Sequence, residues 1–206
     1  MTKIIEVKNS SDIGQAIQEA VLVLTSGGLV AFPTDTVYGL GAYPLLETAV
    51  KKIFEVKGRP DEKALPLLLA DNSQLELAAN EVPEIARRLA ERFFPGALTL
   101  VLFKSKAIPD WVTGGDRKVA VRVPNHEVPR SLARSLGFPI IGTSANKSGF
   151  PPACDAHEVV EQLGDDIDLL LDGGPCPGGI PSTVLDVTVS PPKILREGVI
   201  SLLEIM

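Results

Sequence analysis

Strand-length apolar runs, several of them closed by a polar turn, limit what this chain can fold into. Residues 29–32, 65–69, 98–103, 119–123, 139–142, 167–171 and 183–187 are such runs. Runs without polar alternation fit strands buried on both faces. Between them lie segments with helical spacing at 12–25, 46–56, 82–94, 129–136 and from Asp155 or Ala156 to 163. In the first, Ile13, Ala16, Ile17, Ala20, Val21 and Leu24 share one face, Ser11 is the expected cap and Gly27-Gly28 the stop. Pro83 is expected in the first turn of the third helix and Pro95-Gly96 at its end. A strand at 4–7 precedes these elements; a strand at 193–195 and a short helix near the C-terminus follow. No linker, charge block or repeat interrupts the interleaving. This pattern predicts one α/β domain over residues 1–206, a mixed twisted sheet with helices packed against it. The irregular strand order near the C-terminus argues against a simple doubly wound fold.

Of the 206 residues, 45% are hydrophobic and only 5% aromatic, so a large core must be aliphatic. The net charge of −6 excludes a broad basic footprint for duplex nucleic acid, while a local basic pocket for one nucleotide stays compatible with it. The two cysteines, Cys154 and Cys176, form no Cys-x-x-Cys pair, and His126 and His157 lie far apart, so zinc has no support. Two reduced thiols are expected, with a disulfide left open by the spacing. No apolar run approaches the roughly 20 residues of a membrane span, and the N-terminus lacks a signal-peptide layout. The expectation is a cytoplasmic protein with no membrane partner.

Four polar clusters sit at the ends of apolar or helical segments: Pro33-Thr34-Asp35-Thr36-Val37-Tyr38-Gly39-Leu40-Gly41, Lys57-Gly58-Arg59-Pro60, Thr143-Ser144-Ala145-Asn146 and Pro181-Ser182-Thr183-Val184. Groups at strand ends occupy the place where α/β sheets bind ligands. Pro60 disfavours helical geometry at Arg59, so Lys57 and Arg59 are expected to project together from an extended segment, with Lys63 joining after a turn. Alone, this trio reads either as a clamp for a triphosphate or carboxylate, or as a solvated charged loop. Ser144 and Asn146 likewise read as ligand groups or as turn formers. Arg122, inside the apolar run 119–123, requires a carboxylate partner or a water-facing side. Arg196 ends the last strand and is placed to close the same pocket. Walker A, Gly-x-Gly-x-x-Gly and nucleophile-elbow sequences are absent.

Taken in order, these clusters resemble the YrdC-like family of L-threonylcarbamoyladenylate synthases. The shared stretches also include Phe94-Pro95-Gly96-Ala97-Leu98-Thr99, Val121-Arg122-Val123-Pro124, Asp172-Gly173-Gly174 and Leu195-Arg196-Glu197-Gly198, and together they cover nearly the whole chain. The resemblance implies an α/β domain with a concave, positively lined cavity. It implies a reaction of L-threonine, bicarbonate and ATP, with Mg²⁺ accompanying the nucleotide, to threonylcarbamoyl-AMP and pyrophosphate. A downstream transferase would pass the threonylcarbamoyl group to tRNA, with at most weak direct tRNA contact by this chain. The family signature falls on Lys57, Arg59, Ser144 and Asn146, with Lys57 beside the reacting phosphate. By the same resemblance Arg59, Lys63, Thr113, Ser144, Asn146 and Arg196 would serve ATP, and Thr36, Arg122 and Ser182 L-threonine. Leu68 departs from the pattern, since some members carry His there. With ten residues after Arg196, the chain resembles the short, single-domain branch. An RNA-binding or ribosome-associated factor of the same fold, and a paralogue without the reaction, are the competing expectations.

Overall fold

The computed structural model describes residues 2–7, 10–58 and 63–205, and only the backbone of residues 10–12. In chain order the elements are β1 (Lys3–Glu6), α1 (Ser10–Thr25), β2 (Val30–Phe32), β3 (Gly39–Gly41), α2 (Glu47–Lys57), β4 (Leu67–Leu68), α3 (Leu75–Ala78), α4 (Glu84–Phe93), β5 (Leu98–Phe103) and α5 (Asp110–Thr113). Then come β6 (Lys118–Arg122), α6 (Glu127–Leu136), β7 (Ile140–Ile141), β8 (Thr143–Ser144), α7 (Ala156–Leu163), β9 (Leu169–Asp172), β10 (Thr183–Asp186), β11 (Lys193–Arg196) and α8 (Leu202–Ile205).

The α/β class is as the sequence predicts, but the strands divide between two mixed sheets. One has the order β1-β9-β2-β3-β8, the other β11-β10-β5-β6-β4-β7. In the first, β1 and β2 flank β9 in parallel, and β3 and β8 add antiparallel. In the second, β5 pairs parallel with β10 and antiparallel with β6, and β6 pairs parallel with β4.

The continuous apolar runs are explained by burial on both faces of a sheet. Along β2 and β9, Val30, Phe32, Leu169 and Leu171 belong to an outer core with Ala16, Ala20 and Leu24 of α1 and Leu132 of α6. The alternate residues Ala31 and Leu170 enter the larger core, which holds Ile53 and Phe54 of α2 and Leu98, Leu100 and Val121 of the second sheet. Only aliphatic side chains and a few rings fill it, so its cohesion is dispersion and apolar burial rather than aromatic stacking.

Helix ends obey local chemistry with small shifts. α1 begins at Ser10, so Ser11 lies inside the helix instead of capping it. Pro83 takes the N-cap of α4, and α6 starts at Glu127 behind the His126 cap, whose Nδ1 accepts from Val128 N at 3.3 Å. The Asp155 carboxylate caps α7, accepting from Glu158 N at 2.8 Å. The strand expected over 65–69 contracts to β4. Strands β3 and β8 and helices α3 and α5 were not foreseen.

Besides packing through the larger core, the two sheets are joined by a direct chain crossing. Gly142 alone separates β7, in the second sheet, from β8, in the first. A Cβ built on Gly142 would lie 2.3 Å from Cγ and Cδ1 of Leu68, so this close approach requires glycine. No helix among the described residues is long and apolar enough to cross a membrane.

Candidate active site

Beside this crossing a cleft of about 330 Å³ opens, walled in part by Thr36, Leu68, Arg122, Ser144, Ser182 and Arg196. A larger hollow of about 630 Å³ lies elsewhere, between Asn80, Val82, Arg87, Phe103 and Val187. It contains none of the residues singled out from the sequence. Convergent polar groups identify a small-molecule site better than volume does, and they converge in the smaller cleft.

Arg122 ends β6, where the register sets it opposite Leu68 of β4. Its side chain is only 8% exposed. Nε donates to Gly96 O at 2.8 Å, Nη1 to Thr36 Oγ1 at 3.0 Å, and Nη2 to Asp35 Oδ1 at 2.6 Å. The carboxylate that an arginine in an apolar strand requires is therefore Asp35. Burial pulls the Arg122 guanidinium below its ordinary pKa, and Asp35 opposes that pull. Three of its five N–H donors are engaged by these bonds, and two remain for a ligand.

Thr34 shapes the loop that delivers Asp35 and Thr36. Its Oγ1 accepts from Thr36 N at 3.0 Å and donates to Val37 O at 2.7 Å. That hydroxyl-closed turn aims Thr36 at Arg122. Tyr38 anchors the far end, its hydroxyl donating to Gly174 O at 2.8 Å. Burial, with Asp172 close by, raises its phenol far above the ordinary value, so it stays neutral.

On the opposite rim, Arg196 ends β11. Its Nε and Nη2 donate to Ser182 O at 3.1 and 2.9 Å, and Nη2 also reaches Ser182 Oγ at 3.2 Å. Ser182 Oγ in turn lies 2.7 Å from Thr99 Oγ1. Burial lowers the Arg196 pKa, and the charge on Arg122 lowers it further. Arg196 has no ion-pair partner among the described residues, so the pair of guanidiniums carries more positive charge than Asp35 balances. A cleft with this surplus attracts anions.

Ser144 lies in β8 and lines the cleft, paired across the sheet with Gly39. The buried Asn146 follows; its Nδ2 donates to Lys147 O at 2.9 Å and Phe150 O at 2.8 Å, while Oδ1 is buried without a partner among the described residues. Lys57 departs from the expectation of an extended segment. It is the last residue of α2, 3% exposed, and its Nζ donates to Ser144 O and to Asn146 O, the latter at 2.8 Å. It therefore does not share the direction of an extended Lys-x-Arg pair. Arg59 lies outside the described residues. Lys63 is exposed at a bend, next to the cleft-lining Ala64. Thr113, on α5, is buried with Oγ1 donating to Asp116 O at 2.8 Å, and is not among the wall residues.

The structure thus brings Thr36, Arg122, Ser144, Ser182 and Arg196 to one cleft. Thr99 and Asp35 were not singled out as site residues. A threonine in the apolar run 98–103 and an acid beside two threonines were the available signals. For a resident metal the donor set does not fit, since the described residues contain no group of three or more His, Cys, Asp or Glu side chains able to hold one. Mg²⁺ keeps several waters and binds through a substrate's phosphates, so it needs no such cage when it arrives on a nucleotide.

The profile of the Sua5/YciO/YrdC family, described as telomere recombination, matches residues 22–198. Threonylcarbamoyl-AMP synthase of Pyrococcus abyssi is 48% identical over 205 residues, covering 100% of this chain and 60% of that protein. Threonylcarbamoyl-AMP synthase of Bacillus subtilis is 45% identical over 183 residues, covering 88% of this chain and 53% of that one. The chain thus spans between half and two thirds of the length of these relatives. The crystal structure of P. abyssi Sua5 complexed with L-threonine superposes with a TM-score of 0.95 at 48% identity, covering 99% of this chain and 60% of that one.

Proposed function

The chain belongs to the Sua5/YciO/YrdC family, and from that membership and its cleft we propose that it joins L-threonine, bicarbonate and ATP into L-threonylcarbamoyl-AMP, releasing pyrophosphate. The observation that carries the reading is the cationic surplus of Arg122 and Arg196 among the hydroxyls of Thr36, Ser144 and Ser182. Every reactant except the amine end of threonine is anionic, and the reaction moves negative charge onto phosphate oxygens.

In the first step the threonine amine adds to bicarbonate, giving the carbamate and water. A carbamate oxygen then attacks the α-phosphorus of ATP, and the bond to the bridging oxygen breaks as pyrophosphate departs. The two N–H donors left on Arg122 suit the threonine carboxylate, with Thr36 and Ser182 as its neighbours. The Nη1 group of Arg196 and Ser144 are assigned to ATP from the cleft, and Arg59, Lys63, Thr113 and Asn146 from the family resemblance alone. Mg²⁺ enters on the phosphates. Tyr38 is held neutral and Asp35 is paired, so the wall supplies orientation and fixed positive charge more than proton transfer. The product is a mixed anhydride, which calls for a separate acyl acceptor, assigned here to a downstream transferase acting on adenosine in tRNA.

The test is pyrophosphate release from Mg-ATP with and without L-threonine and bicarbonate, read alongside mass spectrometry of the nucleotide product. Release that needs both co-substrates and yields a threonylcarbamoyl adduct of AMP is expected. Release independent of threonine, or none from folded protein, would overturn the assignment; salt-dependent tRNA binding without turnover would favour the RNA-binding alternative.

A further inference from the structure

We infer that Lys57 is a positioning residue: its buried ammonium fixes the Ser144–Asn146 segment from behind the cleft wall, and ATP is met by the segment, not by the ammonium. Three observations converge. Lys57 Nζ donates to both Ser144 O and Asn146 O, which brackets the segment at its two ends. The Lys57 carbonyl accepts from Ser148 N at 2.9 Å, so the end of α2 is joined to the segment through main chain as well as side chain. Lys57 is 3% exposed and is not among the residues that line the cleft, whereas Ser144 is.

The segment depends on such a brace. β8 is two residues long and, among the described residues, pairs with β3 alone. Beyond it, Ala145 N donates to Tyr38 O at 2.8 Å and Asn146 N turns back to Ser144 O at 3.0 Å. With the carbonyls of 144 and 146 both drawn toward one ammonium, the Ser144 side chain is left on the cleft side and Asn146 is packed inward. A charge-assisted bond to each carbonyl is stronger than a neutral one, and a point charge with rotatable donors suits two carbonyls converging on it. The ammonium also lends positive potential to the wall at a distance, without contact.

The kinetic part of the test rests on the activity proposed above; the other parts do not. Lys57→Met keeps the bulk and removes the bonds to both carbonyls. In ligand-free protein, amide hydrogen exchange over 144–150 is expected to accelerate roughly tenfold or more, with β1 and β9 unchanged. Unchanged exchange over 144–150 would overturn the inference whatever the enzyme does. In turnover assays the Michaelis constant for ATP should rise roughly tenfold while that for threonine moves less than about twofold. Combining Lys57→Met with Ser144→Ala should cost little beyond the worse single variant, because the two act through one segment. Strictly additive losses would mean Lys57 acts on its own. Should Lys57→Met fail to fold, the wild type answers through ¹⁵N-edited spectra of lysine ammonium groups. A solvent-protected Lys57 signal, present without ligand and unmoved by a non-hydrolysable ATP analogue with Mg²⁺, is expected. A signal that exchanges freely or shifts on addition of the analogue would assign the ammonium to the phosphates instead.

Discussion

On the six-stranded side of the cleft, the guanidinium of Arg122 reaches the wall and is balanced by the Asp35 carboxylate. On the five-stranded side, the ammonium of Lys57 stays behind the wall and binds peptide carbonyls. Both cations are nearly excluded from water, yet their donors differ. Arg122 has five, holds three structural acceptors and keeps two beyond them while lining the cleft. Lys57 has three and commits two to backbone. One side chain can fasten the protein and meet a ligand at once; the other is chiefly a fastener. The type of cation, as well as its charge, decides which wall touches anions.

The sharpest way to break this contrast is Arg122→Ala, which should lower pyrophosphate release about 10²–10³-fold, as expected for loss of a preorganised electrostatic group. Turnover within about tenfold of wild type would remove Arg122 from the reacting wall. Next in size, Asp35→Asn leaves Arg122 buried without a counter-charge and should cost about 3 kcal/mol in urea unfolding, with a smaller loss of turnover than Arg122→Ala. A stability change near zero would show that Asp35 does not balance the guanidinium.

A pair that does not line the cleft supplies a control. Lys118 Nζ donates to Asp186 Oδ2 at 2.8 Å, and Thr188 N and Oγ1 donate to Asp186 Oδ1. Burial pushes the Asp186 pKa up, but the bonds from Lys118 and Thr188 outweigh it and hold the carboxyl below its ordinary value. A depressed folded pKa means stability that is present above the unfolded value of about 3.9 and lost as pH falls through the folded one. Asp186→Asn should therefore cost about 1–2 kcal/mol at neutral pH, with the gap to wild type closing below about pH 4 and turnover unaffected. A gap that persists into acid would point to packing, not charge. The smallest effect is expected at Thr99→Val, which removes the hydroxyl beside Ser182 and should cost about 1 kcal/mol, with a modest rise in the Michaelis constant for threonine.

Where local chemistry decides, the sequence was a good guide. β5 falls on the expected residues because an unbroken apolar run between Pro95-Gly96 and Lys104 has one way to be buried. α7 follows its Asp155 cap and ends before Gly164. Long-range packing was not legible. Gly39-Leu40-Gly41 lies in a polar cluster, yet it is β3, paired with β2 and β8, and its glycines leave the space that the Phe32 ring fills. In the cleft, the arginine, serine and threonine positions could be expected at strand ends. Lys57 could not: α2 continues one residue past the expected 56, and that single residue rotates the side chain from the cleft to the back of the Ser144 segment. The pairing of Arg122 with Asp35 spans 87 positions, and local spacing encodes nothing of it.

The crossing at Gly142 has a consequence for how such a cleft can diversify. Leu68 lies on the floor of the cavity and also occupies the space that a side chain at 142 would need. Volume added at 142 requires Leu68 to move or residue 68 to shrink. The two positions are therefore tied together: a lineage that enlarges one must reduce the other to keep the cleft open, so the shape of the ligand space and the joint between the two sheets can change only in step.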